Sequence, residues 1–131
     1  MRRAHHNLLA WKSSIVLVKT IYDLTANFPK AELYGLTGQM RRAAVSVPSN
    51  IAEGAARATK KEFAHFLVIA RGSLSELETQ IEIAKKLGYL PEEHSTYKQL
   101  DEVFALIGGL IRSNQKKLLT PTLNSSLLTL I

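Results

Sequence analysis

The chain of 131 residues contains no cysteine. That absence excludes disulfides, thiolate nucleophiles and cysteine-based metal sites together, and it suits a reducing compartment. Aromatic residues are scarce, at 7% of the sequence, so the apolar mass must come from Leu, Ile, Val and Ala. No stretch approaches the roughly 18 consecutive apolar residues that a membrane-spanning helix needs. The N-terminal run MRRAHHNLLAWKSSIVLVK is basic and then apolar, but Lys12 and Lys19 interrupt it and no small-residue cleavage site follows. It therefore argues against a secretory signal, and a cytoplasmic location is expected.

Catalytic signatures are missing as well. There is no Gly-x-Ser-x-Gly elbow and no phosphate-cradling glycine loop, and the one Glu-x-x-His spacing, Glu62 to His65, lacks the second copy on another helix that a di-iron bundle needs. His5 and His6 lie near the start of the chain, and His65 and His94 are isolated. A carboxylate cluster from Glu53, Glu76, Glu78 and Glu82 lacks a histidine partner at helical spacing. The expectation is a non-enzymatic protein with no metal, no cofactor, no membrane partner and no small-molecule substrate indicated.

What is present points to a packed helical domain. Hydrophobic residues make up 46% of the chain against 21% charged, which excludes disorder for the whole. Trp11, Ile15, Val18, Ile21, Tyr22 and Thr25 recur at three- and four-residue steps and predict a first helix from about residue 7 to 27. Leu17 and Leu24 fall beside that stripe, so the apolar surface is wide. Phe28-Pro29 ends it, because a residue before proline is pushed out of the α region. Thr37 is a candidate N-cap for a second helix reaching Ala56 or Arg57, with Leu36, Met40, Ala43 or Ala44, Val47 and Ile51 inward. Pro48 predicts a bend there, two shorter helices being the alternative. Thr59 and Glu62 form a capping box for the longest helix, which Gly88 closes. Pro91 is placed to open a fourth helix along Tyr97, Leu100, Val103, Phe104, Ile107 and Ile111, and Pro121 to stop it. The expected fold is all-α, an antiparallel up-down-up-down four-helix bundle over residues 1–119. Residues 120–131 form a C-terminal tail, loose or packed on the bundle.

Two sets of polar residues demand an account. Arg42, Ser46, Asn50, Glu53 and Arg57 step by three and four along the second helix, and Ser73, Glu76 and Gln80 do the same on the third. If the hairpin turns near Ala58, the two lines meet as a structural polar seam, with Arg42–Glu76 as the interhelix ion pair. The second set is basic. The net charge of +6 is concentrated early: residues 1–57 carry eight basic and three acidic side chains. Arg41, Arg57, Lys60 and Lys61 are the candidate contacts to phosphates, with Arg2-Arg3 and Lys116-Lys117 behind them. Aromatic residues for base stacking are not interleaved with them, so RNA or DNA binding would be phosphate-directed and salt-sensitive.

The run QMRRAAVSVPSNIAEGAAR followed by EFAHFLVIARGSLSELETQIEIAKKLGYL resembles the four-helix-bundle family called 23S rRNA intervening-sequence proteins. WKSSIVLVKTIYDLTANFP and LYGLT resemble its first helix and connection, so the likeness covers roughly residues 8–118. Arg42, Ser46, Asn50, Glu53, Gly54, Ser73, Glu76 and Glu78 match its characteristic segments. The resemblance implies compact subunits that assemble as homopentamers, with no catalytic role attached to the matching residues. A related accessory protein of diversity-generating retroelements is a basic pentamer thought to engage nucleic acid, which makes RNA or DNA binding the alternative function.

Overall fold

The computed structural model describes residues 2–130, with side chains described through residue 115. Its four α-helices are α1 (Leu9–Thr25), α2 (Leu36–Ala55), α3 (Lys60–Lys86) and α4 (Thr96–Leu130). Short 3-10 turns at Ala4–Asn7 and Lys30–Glu32 precede α1 and α2. No strand occurs among the described residues. Each helix packs on its neighbours in sequence, and α4 closes the ring against α1. The chain is an all-α four-helix bundle.

Contacts that ascend α2 descend α3: Ser46 meets Ser73, whereas Gly54 meets Phe63 and Phe66. Across α1 and α4, Thr20 pairs with Gln99 and Ser13 with Glu102. Between these helices lie Leu17, Ile21, Met40, Val47, Ile51, Leu67, Leu74, Leu77, Ile81, Leu100 and Ile107, each sealed from solvent. Complete burial of one such side chain stabilises by about 1.5–3 kcal/mol, which exceeds any single cap or surface ion pair in the molecule.

The helix ends have local causes. Thr59 accepts a hydrogen bond from the Glu62 amide at 3.1 Å, capping α3. At its other end Gly88 takes φ +80°, and the amides of Gly88 and Tyr89 donate to Lys85 and Ala84. That pair of bonds is the left-handed termination glycine makes easy. Pro48 sits inside a continuous α2, so the alternative of two shorter helices does not occur.

Four details differ from the sequence reading. The buried face of α1 is Ala10, Ser14, Leu17, Ile21 and Thr25, while Ile15 and Tyr22 are exposed. Large apolar side chains pulled the expected stripe sideways, because Ala10 and Ser14 are small or polar and read as neutral. Ser14 is nonetheless fully buried, its hydroxyl donating to the Trp11 carbonyl at 2.8 Å. Thr37 is buried in the first turn of α2 and does not cap it; the Glu32 carboxylate accepts from the Leu36 amide instead. The fourth helix begins at Thr96, after Pro91 and Glu92, since the chain between spends its length crossing from α3 while Leu90 stays buried. Finally, α4 runs through Pro121 to Leu130. The side chains of Lys116, Lys117 and the tail leucines lie outside the described residues.

Candidate functional site

The α2–α3 register brings the two serines of the expected seam together. Ser46 Oγ and Ser73 Oγ are 2.8 Å apart, and Asn50 Nδ2 donates both to Ser46 Oγ at 2.9 Å and to the Ser46 carbonyl at 2.8 Å. Asn50, one turn beyond Ser46, thus closes a three-residue network whose groups are partly buried. Gly54 lies one further turn along the same side of α2. A Cβ there would come within 2.7 Å of Phe66 Cβ and 3.0 Å of Phe63 Cδ1. Glycine allows α3 to start this close to α2.

The charged ends of the seam behave differently. The expected Arg42–Glu76 ion pair does not form among the described residues. Arg42 is exposed and folds back along its own helix, with Nη1 3.2 Å from where a Cβ on Gly38 would stand. Glu76 accepts from Gln80 Nε2 at 3.2 Å, one turn along α3. Glu76 takes a neutral partner on its own helix and Arg42 stays exposed, so both charges keep their hydration, which costs less than bringing an ion pair between helices. Glu53 pairs with Arg57 at 2.8 Å on the surface, and the Arg57 guanidinium stands 4.7 Å over the Phe66 ring.

The basic residues separate in the same way. Arg41 turns toward α1, where Nε donates to Thr25 Oγ1 at 2.9 Å and the guanidinium lies 4.5 Å over the Tyr22 ring. It ties α1 to α2. Lys60 and Lys61 are exposed at the start of α3, beside Arg57 at the α2–α3 turn.

The sequence reading missed a groove between α1 and α2. It is lined by Trp11, Ile15, Val18, Val45, Pro48 and Ala52, together with Ser49 and His5, and encloses about 310 Å³. Ile15 and Val45 are 43% and 40% exposed. The signal was the stripe assigned to the core: its large residues form the rim of this groove. At its end, the rings of His5, His6 and Trp11 cluster, with centroids 4.4–5.5 Å apart. On the α4 side of α1, Leu8, Leu9, Leu106 and Leu110 line a second apolar groove.

A larger cleft of about 480 Å³ lies between α1 and the α3–α4 loop, bounded by Thr20, Asp23, His94, Ser95 and Gln99. No residue of the seam reaches it. Asp23 is paired with Lys19 at 2.7 Å, and His94 stacks on Tyr97. Burial, and then the Lys85 ammonium, hold His94 below the usual histidine range. Nearby, the Tyr97 hydroxyl hydrogen-bonds to Glu82 and accepts from Lys85 at 3.1 Å. The Tyr97 bond is the main reason Glu82 is held below the ordinary carboxylate range, with Lys85 acting in the same direction. This cluster staples α4 to α3.

Among the described residues no three histidines or acids converge as metal ligands, and no helix is long and apolar enough to cross a membrane. The elements and their order define a small all-α bundle of four helices. The family model of the 23S rRNA-intervening sequence protein matches residues 6–109, and the chain belongs to that family. The match spans both halves of the seam and the α1–α2 groove apart from His5. No curated protein matches the chain.

Proposed function

We propose that the chain is a self-assembling bundle subunit with no catalytic task of its own, and that the homopentamer implied by the family resemblance forms through α1. The observation that carries this reading is the open apolar groove between α1 and α2. Ile15 and Val45 present exposed apolar side chains there, and Trp11 and Val18, packed against the core on one side, are only partly buried. Contiguous exposed apolar surface of this kind marks an interaction site. The second apolar groove, on the opposite flank of α1, suits a head-to-tail contact in which two different patches meet and a ring closes. Static light scattering should give about five times the 14.5 kDa chain mass. Ile15→Glu should reduce it to a single chain while leaving the helical circular dichroism unchanged. A wild-type species of one chain mass would overturn the proposal.

A second reading, binding to RNA or DNA through phosphates, is favoured by the net charge of +6 and by Arg57, Lys60 and Lys61 gathered at one end of the bundle. Titration of structured RNA and duplex DNA across a salt series tests it. Affinity should fall steeply with salt, and Lys60→Ala with Lys61→Ala should lower it and flatten the slope. Absence of binding at low salt would remove this reading. Arg41→Ala should affect it little, because that side chain is committed to Thr25 and Tyr22.

A further inference from the structure

Beside the end of the α1–α2 groove, against His5 and Trp11 of its lining, stands a titratable side chain held in one protonation state. His6 Nδ1 accepts a hydrogen bond from the Arg3 amide at 2.8 Å. A nitrogen that accepts carries no proton, so the bond requires the neutral ring with its proton on Nε2. The bond fixes the 3-10 turn Ala4–Asn7, whose His5 lines the groove and whose two imidazoles pack edge-on against Trp11. We propose that His6 is a proton-operated lock on the assembly surface: neutral, it holds the N-terminal turn and Trp11 in the form that docks a second copy of this chain, and protonated it releases them. This rests on the assembly reading above.

The surroundings give the switch its direction. Arg2, Arg3 and His5 share the turn with His6, and Arg2 is held there by Asn7 at 2.9 Å. From α1 the neighbour is the uncharged Trp11, followed in the chain by the exposed Lys12. From α2 the groove receives Val45, Pro48, Ser49 and Ala52, none of them titratable, and the next carboxylate along, Glu53, is already paired with Arg57. Among the described residues no acid is placed to welcome an imidazolium. Partial burial, and then the positive charge of His5, Arg2 and Arg3, keep His6 below the usual histidine range. A group whose folded pKa is depressed contributes its stabilisation above the unfolded value of about 6.5 and loses it as pH falls through the folded value. Protonation at Nδ1 also converts the acceptor into a donor facing the Arg3 amide, so the bond breaks and a charge appears beside Trp11 at the end of the groove.

Sedimentation velocity of the full chain at about pH 8 and about pH 5.5, at constant ionic strength, tests the lock. Between the ordinary histidine value of about 6.5 in the released turn and the depressed value in the lock, the association constant should fall about tenfold per pH unit for each proton taken up per contact. His6→Gln keeps an acceptor for the Arg3 amide and cannot titrate there, so it should stay assembled at both values. A wild-type mass that does not change with pH overturns the proposal, as does His6→Gln dissociating over the same range as wild type. Fluorescence of Trp11, the single tryptophan, separates this failure from failure of the assembly reading. If the wild type is one chain mass even at pH 8, the assembly reading falls and the docking role with it. A Trp11 emission change near the His6 titration that His6→Gln abolishes would then still establish the turn's release. If His6→Gln is monomeric at both values, His6→Asn replaces it, and a pH-dependent His6→Asn overturns the lock.

Discussion

At the scale of single residues, the molecule is decided by small and polar side chains more than by large apolar ones. Gly54 illustrates this. Its position along α2 gives no conformational reason for glycine, since it is helical and costs roughly 1 kcal/mol relative to alanine in a free helix. The reason is the approach of Phe63 and Phe66, which leaves no room for a methyl group. Gly54→Ala should therefore destabilise the fold by about 1–3 kcal/mol, in spite of the better helix propensity. Urea unfolding followed by circular dichroism measures the sign, and a stabilised variant would show that α3 can shift freely. Ser46, Asn50 and Ser73 were legible as a seam because helical spacing put them on facing lines. Arg42 and Glu76 were legible as neighbours in level but not as partners. Sequence spacing gives the height of a side chain on its helix, and it does not say whether a long, hydrated side chain reaches across or lies back along its own turn.

At the scale of elements, boundaries written in backbone chemistry could be read and those set by tertiary contacts could not. Thr59 and Gly88 mark the two ends of α3 as expected, because one supplies an acceptor for a free amide and the other takes a left-handed conformation. Thr59→Ala should cost about 1 kcal/mol of stability. The loss should appear as faster amide exchange at Glu62 than in the rest of α3; unchanged exchange there would mean that the cap carries no weight. The start of α4 was misplaced because Pro91 and two glutamates resemble a first turn. In the structure Glu92 instead approaches Lys85 at 3.4 Å and the helix waits until Thr96. Thr37 failed as a cap for a related reason: Glu32, from the preceding 3-10 turn, had already taken that place at Leu36.

At the scale of the whole molecule, the subunit has more apolar surface than one four-helix core can cover, and the proposed assembly follows from that excess. The same prediction has a thermal form: a subunit stabilised by its copies should melt at a temperature that rises with protein concentration, as mass action requires, whereas Ile15→Glu should melt independently of it. The number and order of the helices and the approximate spans of the first three were determined by the sequence alone, because hydrophobic periodicity and caps act within a few residues and need no partner. Only the tertiary structure decided which stripe of α1 is core and which is rim. Periodicity reports that a helix has an apolar side, and the side that closes is chosen by where Ala10 and Ser14 let α1 come nearest to its neighbours.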